Sequence, residues 1–463
     1  MRTPKKSAQR PTSVPAGGPV TGRPADRAAD RPADRPADDA MWPRVIRELA
    51  DDLAVDALTR DRAGKAPLDE VARLQEAGLP ALLTAPGPGG RGADWRTACG
   101  VIREISAADG SIGELLAHHC ALAWTTRFLG SAAGPLDLGA RAAEERWLLA
   151  GAIEPPGAPT DATGRAGPNG YNGSNGLNES NGPVGSNGPV GSNGPDGPVL
   201  TPAGGGAYVL HGRRAFASGV TVADRLVVAA RCTQTGDPLL VLVDPAHPAV
   251  FTEPHAERVG QRLSGAGTVT FDRLPIAAGD VLGALPHDEH ARVPCPTTPA
   301  PIALRLLLVH VVLGIAEGAL AEARDVSRAT QAASGDDPFL LLAYGESATA
   351  AHAAAAVVER ATDSLAHGLL TGRALDVEER TDIAVLVAAA ETVTGRAALD
   401  ITTRVLELVD PGAAPGLHGG GLGLDRFWRN ARTLTAPVTP DHRLRDIGDH
   451  YLNGTHAGLT LPA

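Results

Sequence analysis

Leu424-Asp425-Arg426-Phe427-Trp428-Arg429-Asn430-Ala431-Arg432, followed by Arg445-Asp446-Ile447-Gly448 and Tyr451-Leu452-Asn453-Gly454, is the most informative run in this chain. Residues 424–452 read as one helical segment that carries Arg429, Asn430 and Arg432, with Asp425 and Asp446 at hand for ion pairs. Upstream, 302–331, 339–370 and 377–409 are Ala- and Leu-rich segments of bundle length, so a C-terminal four-helix bundle is expected over 291–463. Before it, 207–210, 226–230, 239–243 and 268–271 alternate or run apolar between Gly, Pro, Asp and Asn. They predict a small β domain over 207–290. Residues 41–154 read as a helical domain. Val45, Ile46, Leu49 and Leu53 share one face, Pro67 to Glu70 opens a second helix, and Gly78 and Pro80 close it. A third helix covers Trp95 to Ala108, and Asp109-Gly110-Ser111 starts a fourth, with Leu115, Leu116, His119 and Leu122. The fold class is α+β, mostly α.

Two segments fall outside this order. Residues 1–40 repeat Pro-Ala-Asp and Asp-Arg units with few apolar groups, so a disordered tail is expected. Residues 155–206 repeat Ser-Asn-Gly-Pro from Ser180, Ser186 and Ser192, a composition that favours turns and predicts a flexible insertion. The rest has ordinary globular content at 43% hydrophobic and 21% charged, and 463 residues suffice for about three domains. The net charge of −11 argues against nucleic acid as a partner. Four cysteines without metal-ligand spacing predict neither a metal site nor a disulfide framework. The N-terminus has no apolar run of signal-peptide length, and the apolar stretch 301–314 is broken by Arg305. A cytoplasmic protein without membrane association is expected.

The order of helices, β domain and helix bundle resembles the acyl-CoA dehydrogenase superfamily, and particular strings narrow the likeness. Leu74 to Leu79, Gly89 to Trp95 and Ala107 to Ser111 resemble its N-terminal domain. Gly212 to Gly219, with Ala223-Asp224 behind, resembles the strand and turn that meet the flavin. Gly314 to Leu320 resembles the first bundle helix. The 424–432 run and its sequel are similar to the flavin-dependent monooxygenase branch typified by dibenzothiophene monooxygenase.

That resemblance implies a two-component monooxygenase using reduced FMN, ahead of FAD, supplied by a separate flavin reductase. It would transfer oxygen from O2 to a small organic substrate. His119 is then expected as a substrate-side acid–base or donor, and Ser218 as a donor at the flavin edge. Ala152, Phe216, Ala217, Ser218, Arg429, Asn430 and Arg432 are the expected cofactor contacts. One histidine of the adjacent pair His118-His119 should face inward and the other outward. A homotetramer or homodimer is implied, and the Arg-over-Lys bias suggests a high-GC source and natural-product tailoring as context.

Departures from the branch keep alternatives open. Its string after Arg-Thr carries histidines facing flavin, whereas 433–438 holds none and His442 comes later. The Arg expected after the first bundle helix aligns nearest Thr330, and the flavin segment after Trp147 is altered through Pro155. A flavin-free family member with a non-redox catalytic, binding or scaffold role is one alternative. An acyl-CoA dehydrogenase-type oxidoreductase is the other, with Glu322 the only base in the usual region of the bundle.

Overall fold

The computed structural model describes residues 35–84, 90–129, 137–152, 197–255, 257–284, 300–330, 337–371, 377–409, 421–436 and 440–454. Residues Met1–Pro43 form one unit and Arg44–Ala463 another. Of the first unit, only the opening of helix α1 (Arg35–Ala63) is described, so helix begins inside the segment expected to be a tail. Residues 1–34 and 153–196 lie outside the described residues.

In the second unit, α2 (Leu68–Glu76) ends at Gly78, and a short turn, Leu79–Ala81, leads towards α3 (Trp95–Ala108). Asp94 caps α3 by accepting from the Thr97 N–H. Asp109 ends α3 and caps α4 (Gly110–Ala123), accepting from the Ser111 and Ile112 N–H groups, so a single residue turns the chain between two helices. Every residue of α4 is buried. A helix buried on all sides belongs in the middle of a protein, and α4 lies against α3, the β domain and the first bundle helix. Short helices α5 (Thr125–Leu129) and α6 (Leu138–Glu144) lead to the sheet.

The sheet has eight strands: β1 (Leu149–Ala152), β2 (Val199–Gly204), β3 (Ala207–Phe216), β4 (Arg225–Cys232), β5 (Pro238–Val243), β6 (Val250–Pro254), β7 (Gly267–Ile276) and β8 (Val281–Ala284). Their order is β6-β7-β3-β2-β4-β5-β8, and β1 also pairs with β4. Leu210, Phe216, Val228, Val241 and Phe271 form part of its core. β1 pairs in parallel with the start of β4, Leu149 opposite Arg225. β2 pairs in parallel with its end, Val199 opposite Arg231. The sheet therefore extends past the expected 207–290 at its N-terminal side, taking one strand from the helical domain and one from the expected insertion. Both escape the pattern rules because β1 has only four residues and β2 contains Pro202.

The bundle consists of α7 (Ala300–Thr330), α8 (Pro338–Thr371), α9 (Val377–Leu408), α10 (Asp425–Thr435) and α11 (Pro440–Asn453). The first three match the expected segments, whereas the fourth divides in two, with Pro437 and Pro440 at the break. Residues 301–329 of α7 are long and apolar enough to cross a membrane, which corrects the expectation from 301–314 alone. Yet 78% of the apolar window is buried, as in the core helix of a bundle. α7 packs closely on α3 because Gly314 and Gly318 carry no side chain. A Cβ at Gly314 would lie 2.3 Å from the Arg103 carbonyl oxygen, and one at Gly318 would lie 2.1 Å from that of Ala107.

Candidate active site

The strand β3 ends at Phe216, and Ala217-Ser218-Gly219 turns inward against α4. Gly219 has φ +82°, and its N–H donates to the Ser264 carbonyl at 2.6 Å. A Cβ there would strike the Ala150 Cβ at 2.4 Å, so the turn requires glycine twice over, for conformation and for space. Arg258 holds the other side by donating to the Ala217 carbonyl at 3.0 Å.

Ser218 is buried, and its Oγ lies 2.8 Å from His118 Nδ1. The same Nδ1 is 3.1 Å from the Glu114 carbonyl oxygen one helical turn back. A carbonyl only accepts, and an imidazole lone pair facing it is repelled, so the proton belongs on Nδ1. Ser218 Oγ then accepts from His118, and its own O–H is left to donate elsewhere.

His119 is bonded to backbone through both ring nitrogens. Both members of the pair are buried, His118 at 7% and His119 at 0% exposure, because α4 has no solvent face. The Leu149 N–H donates to His119 Nδ1 at 2.9 Å, which places the ring proton on Nε2, and Nε2–H donates to the Pro80 carbonyl at 2.8 Å. Burial pushes its pKa down to about 4, so the ring is neutral at physiological pH. Both nitrogens are committed to backbone, and His119 ties the Leu79–Ala81 turn to β1.

The other expected cofactor contacts lie on the sheet and on α10. Ala152 is the buried end of β1, and the Phe216 side chain packs in the sheet core. On α10, the Arg429 guanidinium is shared among Asp61 (2.5 Å), Asp425 (2.9 Å) and the Val259 carbonyl (2.9 Å). Asn430 Oδ1 accepts from the Gln261 N–H at 2.7 Å. These two residues fasten α10 to α1 and to the loop before β7, while Arg432 points to a separate pocket among the bundle helices. Glu322, the residue a dehydrogenase would need, receives a forked pair of hydrogen bonds from Arg426, one of 3.1 Å.

Two residues escaped the sequence reading. His118 carries no sequence signal that separates it from His119. Gln261 carries no pattern signal, yet it is fully buried, has φ +53°, and neither amide atom of its side chain has a hydrogen-bond partner among the described residues. Its carbonyl accepts from the Ser264 N–H at 3.1 Å, so it belongs to the turn that supports Gly219. A left-handed non-glycine residue with an unsatisfied buried amide is the kind of strain that collects at ligand sites. No group of three or more metal-ligating side chains occurs among the described residues.

Residues 36–133 match the family model for the acyl-CoA dehydrogenase N-terminal domain, and 306–437 that for the C-terminal domain. The chain is 32% identical over 427 residues to dibenzothiophene monooxygenase of Rhodococcus erythropolis, covering 89% of this chain and 93% of that one. It is 26% identical over 423 residues to a probable FMNH2-dependent monooxygenase, SfnC, of Pseudomonas putida, covering 88% and 94%. The crystal structure of TdsC from a Paenibacillus species with FMN and indole superposes with a TM-score of 0.71 at 27% identity, covering 89% and 97%. The chain belongs to the acyl-CoA dehydrogenase superfamily, in its branch of FMN-dependent monooxygenases.

Proposed function

We propose that the protein is a two-component monooxygenase that receives reduced FMN from a separate reductase and oxidises a small organic compound at a nucleophilic sulfur or nitrogen. The observation that carries this reading is the buried Ser218–His118 hydrogen bond at the end of β3. A hydroxyl donor, fixed by a histidine and shielded from water, is what oxygen chemistry at a flavin edge requires.

The donor set suits a flavin. Gln261 offers an amide NH2 donor and a carbonyl acceptor, neither with a partner among the described residues, which complement the alternating carbonyl and N–H groups of a flavin pyrimidine ring. Ser218 adds a hydroxyl, and the Ala217–Gly219 turn lets backbone come close. Reduced FMN, when bound, supplies the electrons with which O2 is activated. The chain's own work is to orient and to exclude water: His118 aims Ser218, Gln261 reads the ring, and His119 holds β1 against α4. In this reading His119 is a positioning residue and leaves acid–base work to others. The engagement of Glu322 by Arg426 speaks against α-proton abstraction by that residue.

Self-association as a dimer or tetramer fits the exposed Phe339, Leu341 and Leu342 at the start of α8, and a cytoplasmic location fits a protein supplied by a soluble reductase. The relatives' names give two probe substrates. With reduced FMN supplied by a reductase, dibenzothiophene or indole is expected to gain one oxygen atom from isotopically labelled O2, read by mass spectrometry. Absence of label from both, with FMN bound, would remove sulfur and nitrogen heteroaromatics as the substrate class.

A further inference from the structure

We propose that the pocket between α7, α9, α10 and α11 binds an oxyanion: the carboxylate, sulfonate or phosphate group of a small ligand. The cavity is about 100 Å³ in volume, and four arginines line it, Arg305, Arg396, Arg432 and Arg443, against a single acid, Glu391. One oxygen of that acid, Oε2, accepts from Arg305 Nη2 at 2.5 Å and from Arg443 Nε at 3.0 Å. Two guanidiniums thus lean on one carboxylate oxygen. Arg443 is only 3% exposed, and among the described residues its Nη1 has no hydrogen-bond partner; the Asp446 carboxylate beside it stays 3.6 Å away. The buried Thr394 hydroxyl, also in the lining, has none either. Burial, with Arg305 as neighbour, holds the Arg443 guanidinium below its usual pKa, a strain that an added anion relieves.

Glu391 and Asp446 balance Arg305 and Arg443. Arg396 and Arg432 are therefore surplus positive charge; both are exposed and make no ion pair among the described residues. Guanidinium forks match oxyanions with two parallel hydrogen bonds, which favours such a group over a neutral one. Val309, Val312, Leu399 and Leu434 supply an apolar wall beside the charges, so the site suits an acid with a short hydrocarbon part. This inference goes beyond the monooxygenase reading and stands without it, since no redox step enters.

Two sources share the chemistry, an acidic substrate or effector and the phosphate of FMN itself. The test is calorimetric titration of the full chain with inorganic phosphate, butyrate and butanesulfonate, alongside Arg432→Gln, Arg396→Gln and Arg443→Gln. The first two positions are exposed, so these variants keep the fold. The expected result is salt-sensitive binding of at least one probe, weakened about tenfold or more by Arg432→Gln. FMN and riboflavin then separate the sources. If the FMN phosphate fills the pocket, FMN displaces the probe and Arg432→Gln weakens FMN but not riboflavin. If an organic acid fills it, FMN and the probe bind together. Either result upholds the site. Failure of all three probes to bind, or binding unchanged in all three variants, overturns it, and neither failure bears on reduced-FMN binding.

Discussion

Replacing Gly318 with valine is expected to lower stability by about 3 kcal/mol or more, a loss of several degrees in Tm. The modest-looking repeat Gly314-x-x-x-Gly318 is the contact surface between α7 and α3. A Cβ at Gly318 falls 2.1 Å from a backbone oxygen, and backbone cannot rotate aside as a side chain does. Relief comes only from moving α7 away from α3, which opens voids around the fully buried Ile102, Ile105 and Ile315. Gly345, on the exposed face of α8, serves as control, because a Cβ there meets nothing within 4 Å. Gly345→Ala is expected to hold or raise Tm through helix propensity. Equal melting of the two variants would show that the α3–α7 crossing does not depend on glycine.

The second large effect concerns coupling. Ser218→Ala removes the hydroxyl that His118 aims, and His118→Phe keeps the volume but removes the aim. Both variants are expected to bind reduced FMN with little loss while releasing about tenfold more hydrogen peroxide per dibenzothiophene or indole oxidised. The effect is read as a ratio, so a change in folded fraction cancels. Loss of one preorganised donor in a water-excluded site commonly costs more than that, so tenfold is a conservative figure. His118→Asn, able to donate from a similar position, should recover part of the coupling. An unchanged peroxide ratio in both variants would return the Ser218–His118 pair to the role of core hydrogen bond.

Much of this architecture was legible in the residues. Long Ala- and Leu-rich segments with 3.6-residue spacing gave the bundle to within a few residues, since helices are local structures. The strands β6 and β8 were less visible, being only five and four residues long with one buried residue between them, and so lacking the apolar alternation of a core strand. β1 and β2 are strands only because β4 offers both halves of one edge, a non-local fact. The site follows the same division. Ala217-Ser218-Gly219 was marked by its resemblance to the family's flavin turn, and the structure places a left-handed glycine there at the end of β3. The burial of both His118 and His119 was not legible, because it depends on α4 being buried all round. Nothing in the chain announces Gln261, whose left-handed backbone and backbone N–H bond to Asn430 of α10 are non-local facts. Arg429, Asn430 and Arg432 looked like one set, yet a helix turns them to different neighbours: Asp61 and the loop before β7 for the first two, the bundle pocket for the third.

The central claim is that this chain uses reduced FMN, despite a 433–438 string without histidine. Anaerobic titration of the purified protein with reduced FMN tests it most directly, with oxidised FMN and both forms of FAD for comparison. The account predicts micromolar or tighter binding of reduced FMN, equivalent to about −8 kcal/mol, with FAD weaker. Absence of binding by either flavin in either redox state would contradict it and leave a member of the fold whose cavities serve another task.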